Sequence, residues 1–146
     1  MSAVTTAVAA IDGGSRGNPG EAGCGIVLDL AGHGREEHTL YLGKATNNVA
    51  EYAALLAVLE RARAIGIREL EVRSDSELLV RQMTGSYRVK APHLQRLWLA
   101  ASQLARTFGR LAVRHIPRER NGDADRLANQ AIDSRSSTLP RPAALP

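Results

Sequence analysis

The sequence predicts an α/β fold in which helices flank one mixed, five-stranded sheet. Two observations support this prediction. Three strand-like segments come first and are joined by short turns, which favours antiparallel pairing. Two further strand-like segments each follow a helical segment, and strands connected through a helix run parallel in the same sheet. A last helical segment follows the fifth strand.

The first strand and the first helix carry the clearest patterns. Residues 4–11 are rich in β-branched and small apolar side chains, and the glycine-rich residues 13–20 cannot continue a strand. Asp12 therefore lies at a strand exit. Residues 46–62 carry apolar side chains at helical spacing behind a Thr-Asn-Asn start, which predicts a long amphipathic helix. Glu51 lies near its first turn.

The second half of the chain repeats this arrangement. Residues 69–74 alternate polar and apolar side chains, and helix is expected from residue 77, so Asp75 lies at a second strand exit. One or two helices are expected within residues 76–107, and residues 111–116 form the last strand. The final helix has Asn121 as its predicted N-cap and Asp125 near its start. Its buried stripe is Leu127, Ala128, Ala131 and Ile132.

Four acidic side chains thus fall at strand exits and helix starts, where α/β folds bind ligands. They are Asp12, Glu51, Asp75 and Asp125. Each one alone is commonly a turn or cap residue, or complements a helix dipole. A cluster of carboxylates without His or Cys suits Mg²⁺, which prefers oxygen ligands. Two such ions, roughly 3.5–4 Å apart, can hold an attacking water and a leaving oxygen on either side of a phosphorus atom.

Short segments around the four acids resemble the signature segments of type 1 ribonuclease H. They are DGGSRGNPG at residues 12–20, TNNVAE at 46–51, SDS at 74–76 and ADRLA at 124–128. They occur in the family's order, and the resemblance covers about residues 4–133. The segment PRERNGDAD at 117–125 is similar to the short bacterial and archaeal members, which lack a basic protrusion. The resemblance implies the ribonuclease H fold, with sheet order 3-2-1-4-5, over residues 1–133.

The resemblance also implies an endoribonuclease that hydrolyses the RNA strand of RNA/DNA hybrids and leaves 5′-phosphate and 3′-hydroxyl ends. Two Mg²⁺ ions are expected per site, with Mn²⁺ as a substitute. Asp12 would bridge the ions, Glu51 and Asp75 would bind the ion on the leaving-group side, and Asp125 would help bind the ion that activates water. Asp123 is an alternative to Asp125, although ADRLA favours Asp125. Double-stranded RNA is a further candidate substrate.

Other matched positions imply contacts with the hybrid, and capping or turn formation is the alternative interpretation for Asn18, Thr46 and Asn47. Two basic side chains in the connection after residue 85 are also expected to face the substrate. The candidate substrate-binding residues are Gly13, Gly14, Ser15, Arg16, Asn18, Thr46, Asn47, Asn48, Arg88 and Lys90.

His115 is a candidate for the histidine that assists proton transfer or product release in many members of the family. It lies ten residues before Asp125, and an unperturbed imidazole can exchange a proton near neutral pH. The alternative is that His115 is only a strand residue and that Arg118 or Glu119 takes the nearby position.

Composition and charge are consistent with these expectations. The chain has 146 residues, which suits one domain, and a formal net charge of +4, which favours a polyanionic partner. Its one cysteine, Cys24, cannot form an internal disulfide, which fits a reducing cytoplasm. No membrane partner is expected, and the protein is predicted to be a monomer. Residues 134–146 have the Pro/Ser/Ala character of a disordered tail or linker.

Two other functional classes need to be distinguished. Transposases, integrases and resolvases share the fold, so the fold alone does not decide the reaction. Their acid patterns differ and would not reproduce the TNNVAE and ADRLA contexts. A non-catalytic nucleic-acid-binding module would have lost acids of the cluster, and all four are present.

Overall fold

One mixed sheet forms the centre of the molecule. The structure, a computed structural model, describes residues 3–146, and within them lie five strands, four α-helices and one 3-10 turn. The strands lie in the order β3-β2-β1-β4-β5, with β1, β2 and β3 antiparallel and β1, β4 and β5 parallel. The predicted fold class, strand order and strand directions are confirmed. The elements are β1 (Thr6–Gly17), β2 (Gly20–Leu30), β3 (Gly34–Ala45), α1 (Asn47–Ala64), β4 (Glu69–Ser74), α2 (Glu77–Met83), α3 (Pro92–Ala105), β5 (Arg110–His115), the 3-10 turn (Arg118–Arg120) and α4 (Gly122–Ser134).

Helices α1 and α4 cover opposite faces of the sheet. Successive residues of a strand face opposite sides. The Cys24 thiol donates to the Ala50 carbonyl of α1 at 3.2 Å, whereas Gly25, the next residue, faces α4. A Cβ at Gly25 would lie 2.0 Å from the Ala124 carbonyl oxygen, so the missing side chain allows α4 to approach the strand. Strand β2 is consequently buried on both faces.

Helix α1 is more deeply buried than its predicted amphipathic character implies. Every residue from 50 to 59 is buried, because the sheet covers one side of the helix and α3 packs against another. The start of α1 also approaches β1 closely. A Cβ at Gly13 would lie 2.3 Å from the Ala50 carbonyl oxygen. This close approach brings Glu51 to the exit of β1.

Helix α4 buries the apolar stripe that the sequence predicts. Leu127, Ala128, Ala131 and Ile132 are buried, together with Ala124. The helix packs mainly against β2, with further contacts to β3 and β1. Within residues 3–146, none of the helices combines the length and apolar character needed to cross a membrane.

The segment after α4 does not behave as the predicted disordered tail. It lies along the edge strand β3, where the Ser137 hydroxyl accepts from Tyr41 N at 2.8 Å and the Thr138 hydroxyl accepts from Thr39 N at 2.9 Å. The peptide N–H of Thr138 donates back to Thr39 O at 2.8 Å. These contacts satisfy backbone groups that an edge strand otherwise exposes. Leu139 and Leu145 are buried against the core.

Candidate active site

Three carboxylates converge at one end of the sheet. The parallel register pairs Ile11 with Ser74, so the residues that follow them, Asp12 and Asp75, leave neighbouring strands side by side. Glu51 reaches the same point from α1, where Gly13 N donates to its Oε1 at 2.5 Å. One oxygen from each of the three acids lies within 4.8 Å of the others. The sheet and α1 therefore bring together three of the four acids that the sequence singles out.

Asp125 joins this cluster from the opposite face of the sheet. It lies near the start of α4 and lines the same cavity, and its carboxyl group is close enough to Asp12 to help raise the pKa of that residue. The alternative ligand, Asp123, instead binds Arg35 at 2.9 Å and lines a separate cavity. The geometry favours Asp125 over Asp123 as the fourth member.

The cluster carries more negative charge than its surroundings compensate. Burial, and then repulsion from Glu51 and Asp75, raises the pKa of Asp12 to about 8. Burial raises the pKa of Glu51 to about 7, against the opposing effect of the hydrogen bond from Gly13 N. Clustered acids in a partly buried site share protons when no cation is bound. Oxygen ligands within 4.8 Å of one another and this uncompensated charge fit a hard divalent cation.

The acids line a cavity of about 380 Å³ at the surface of the domain. Predicted substrate residues contribute Gly13, Gly14, Ser15, Arg16, Asn47 and Asn48 to its wall. Ser76 and Asn129 also line it and were not predicted. Both residues could have been found from the sequence. Ser76 belongs to the SDS segment, and Asn129 lies one helical turn after Asp125 and therefore on the same side of the helix.

His115 does not reach this cavity. It pairs with Ser74 in the β4–β5 ladder, has an exposed side chain, and lines a separate cavity together with Glu119. Arg118, from the 3-10 turn, lines the acidic cavity instead. The strand-residue interpretation of His115 therefore fits the structure, and Arg118, together with Arg16, supplies a basic group to the acidic cavity.

The predicted substrate residues around the start of α1 also hold that start in position. The Thr46 hydroxyl accepts from Val49 N at 3.2 Å, which confirms the capping interpretation. Asn47 Oδ1 accepts from Ser15 N at 2.8 Å, and Asn18 Oδ1 accepts from Asn47 N at 3.1 Å. These bonds join the β1–β2 turn to α1 and so fix Glu51 relative to Asp12.

The predicted basic contacts lie in two different environments. Arg16 binds Asp133 at 2.7 Å and Asn129 Oδ1 at 3.1 Å, so its charge is partly offset by α4. Arg88 and Lys90 are exposed in the connection between α2 and α3 and do not line the acidic cavity. Of these three basic residues, only Arg16 lines the acidic cavity.

Comparisons with known proteins agree with this geometry. Residues 10–131 match the family model described as "Reverse transcriptase-like". A "Bifunctional protein" of Mycobacterium tuberculosis is 49% identical over 125 residues, which cover 84% of this chain and 34% of that protein. A "Ribonuclease HI" of Halobacterium salinarum is 44% identical over 124 residues, which cover 84% of this chain and 62% of that protein. The chain thus spans about a third of the first relative and under two thirds of the second.

Solved structures give the same result. The crystal structure of LC11-RNase H1 in complex with an RNA/DNA hybrid superposes with a TM-score of 0.83 at 43% identity, covering 88% of this chain and 98% of that one. The fold, the acidic cluster and the extent of these matches show that the chain belongs to the reverse transcriptase-like family, as a short type 1 ribonuclease H domain.

Proposed function

We propose that this domain is an endoribonuclease that hydrolyses the RNA strand of RNA/DNA hybrids. The observation that carries the proposal is the group of three carboxylates within 4.8 Å of one another at adjacent strand ends, beside a cavity open to solvent. The likeness to LC11-RNase H1, which was solved with a hybrid, supports this substrate class. The basic character of the chain, with a net charge of +4, suits a polyanion.

The residues that would hold the metal are Asp12, Glu51, Asp75 and Asp125. We propose two Mg²⁺ ions per site, with Mn²⁺ as a substitute, because oxygen-only ligands and an uncompensated negative charge suit both ions. When bound, Mg²⁺ supplies Lewis acidity that lowers the pKa of water and stabilises charge on the leaving oxygen. In the metal-free protein the two acids with raised pKa values, Asp12 and Glu51, would retain protons near neutral pH that metal binding would release.

The protein groups around the acids would orient the substrate. Gly13 N–H holds one Glu51 oxygen and thereby limits rotation of that carboxylate. Arg118 and Asn48 line the cavity and carry hydrogen-bond donors for phosphate oxygens. A guanidinium next to the reacting phosphate would offset charge that develops during in-line displacement. The expected products carry 5′-phosphate and 3′-hydroxyl ends.

A substrate panel tests the proposal. Hybrids labelled on either strand, duplex RNA and duplex DNA are incubated with the protein in Mg²⁺ or in EDTA, and product ends are identified. Cleavage of the RNA strand of the hybrid, only with Mg²⁺, is expected. Cleavage of duplex RNA as well would widen the substrate range, whereas cleavage of the DNA strand or of neither strand would contradict the proposal.

Two variants of acidic residues complete the test. Asp75→Asn removes one charge of the cluster and should abolish cleavage, while Asp29→Asn removes an exposed acid of β2 outside the cluster and should leave cleavage unchanged. A fully active Asp75→Asn variant would contradict the proposed site. The monomeric state and the cytoplasmic location stay predictions of the sequence, and sedimentation of the purified protein tests the former.

A further inference from the structure

Asn121 is a buried amide that joins three of the elements forming the active site. Only 2% of its surface is exposed. Its Nδ2 donates to the Ile11 carbonyl of β1 at 2.8 Å and to Asp75 Oδ2, just after β4, at 3.0 Å. The backbone carbonyl of Asn121 accepts a hydrogen bond from Asp125 N at 3.1 Å in the first turn of α4. Asn121 is the N-cap residue of α4, as the sequence predicts, but its side chain makes no capping bond and donates to Asp75 instead.

The chemistry of the two partners suits an amide at this position. A carbonyl and a carboxylate both accept, so the two hydrogens of one NH₂ group can serve them together. A serine hydroxyl would offer one hydrogen, and an aspartate would offer none. Because both partners accept, the orientation of the amide is fixed by its hydrogen bonds.

The oxygen of the same side-chain amide, Asn121 Oδ1, is buried and lacks a hydrogen-bond partner among the described residues. Most buried polar atoms are paired, and an unpaired acceptor is unfavourable to folding. The amide thus leaves its oxygen unpaired among the described residues while its NH₂ group serves two acceptors beside the acids, which points to a role for the NH₂ group.

The location of the amide explains what that role is. The β1–β4 ladder ends at the pair Ile11 and Ser74, and beyond this pair the two strands carry Asp12 and Asp75. The Asn121 amide connects the two strands just where the ladder ends. Its NH₂ group donates one hydrogen bond to the Ile11 carbonyl of β1 and one to the Asp75 carboxylate that follows β4. It holds one Asp75 oxygen in place and leaves the carboxylate with a defined orientation toward the other acids.

We propose that Asn121 is a positioning residue that acts through Asp75 to set the geometry of the metal-binding carboxylates. The inference rests on the proposed metal-dependent function of the cluster. Groups that hydrogen-bond to metal ligands commonly change metal affinity or activity by about 10–100-fold when they are removed.

Magnesium binding to the protein without nucleic acid tests this role independently of activity. A Mg²⁺ titration followed through the backbone amide signal of Gly13 gives the dissociation constant for wild type and for Asn121→Leu, which keeps a similar size and lacks the NH₂ group. The constant should rise about tenfold in the variant. A constant within threefold of wild type would overturn the inference.

Tyr52→Phe is the matched control. It removes a buried hydrogen bond, from Tyr52 Oη to Gln82 Oε1 at 2.6 Å, that involves none of the four acids. It should leave the Mg²⁺ dissociation constant unchanged even where it lowers stability. An equal rise of the constant in both variants would indicate a general loss of packing and would overturn the specific role of Asn121.

A wild-type measurement covers the case in which Asn121→Leu does not fold. The side-chain NH₂ signals of Asn121 should shift over the same Mg²⁺ range as the Gly13 amide, because Asp75 is their partner. Signals that do not respond would overturn the inference. Failure of the proposed function is distinguishable: wild-type protein would then bind Mg²⁺ with Asn121 responding, yet leave the hybrid uncut.

Discussion

Replacing Asp12 by Asn should stabilise the metal-free protein while it abolishes cleavage. In the folded protein, burial and the nearby carboxylates raise the pKa of Asp12 from 3.8 to about 8. In the unfolded chain the same group is ionised at neutral pH. The folded state therefore binds more protons than the unfolded state between about pH 4 and pH 8, and the contribution of Asp12 to stability falls as the pH rises through that range. Asn has a similar shape but does not titrate, so it adds no such pH dependence to the stability.

The size of the effect follows from the difference between the pH and the unfolded pKa. At pH 7, folding must protonate a group whose unfolded pKa is 3.8, which costs about 4 kcal/mol. At pH 5 the same cost is about 2 kcal/mol. The advantage of Asp12→Asn should therefore grow nearly threefold between these pH values, since each pH unit contributes about 1.4 kcal/mol. At pH 7 it corresponds to a rise in melting temperature of roughly 10 °C for a chain of this size.

Urea denaturation in EDTA at pH 5 and pH 7 measures this advantage directly. The midpoint of Asp12→Asn should exceed that of wild type at both values, and by more at pH 7. Asp29→Asn, which changes an exposed acid, should show neither effect. Equal stability of Asp12→Asn and wild type at pH 7, or an advantage that does not change with pH, would refute the reasoning.

Three further predictions concern the elements around the cluster. Gly25→Ala should lower the free energy of unfolding by about 1–3 kcal/mol in urea titrations, because its Cβ would lie 2.0 Å from the Ala124 carbonyl oxygen; wild-type stability would contradict the close packing of α4. Arg118→Ala should lower the turnover of hybrid cleavage about tenfold or more while His115→Ala leaves it unchanged, and the reverse result would restore His115 to the mechanism. Thr138→Val should cost about 1 kcal/mol in the same titrations, because the lost hydroxyl satisfies an edge-strand N–H, and no loss would argue against this docking of the last segment.

The sheet and the acid cluster could be predicted because both depend on local patterns. Strand exits at Asp12 and Asp75 are readable from alternation followed by turn or helix signals, and parallel strands bring such exits together. The start of α1 is marked by Thr46, whose hydroxyl caps the helix as expected. The positions of Asp12, Glu51 and Asp75 therefore followed from short segments and their order.

What could not be predicted depends on contacts between distant residues. Arg16 lines the cavity, but nothing in the sequence indicates its ion pair with Asp133, which lies 117 residues away. The last segment has the composition of a disordered linker, yet Thr138 bonds to β3, 99 residues earlier. Such pairings leave no periodic signal in the sequence.

Asn121 illustrates a pattern with two physical interpretations. An Asn before an apolar helical stripe is a common side-chain cap, and nothing in the adjacent residues indicates that its amide turns toward Asp75 instead. His115 presents a similar ambiguity. The period of strand β5 places it correctly at the strand end, but that period does not show that Arg118, beyond the strand, is the side chain that lines the cavity.

A Mg²⁺ titration of hybrid cleavage by wild type and Glu51→Gln tests the central claim most directly, because Glu51 is buried in the cluster and its substitution preserves size. Wild type should not cut the RNA strand in EDTA and should cut it at a rate that rises with Mg²⁺ until saturation. Glu51→Gln should remain slower by about a thousandfold, on the order of what the loss of one electrostatic group at a reacting centre costs. Cleavage by wild type in EDTA, or cleavage by Glu51→Gln at the wild-type rate, would contradict hydrolysis through metal held by these carboxylates.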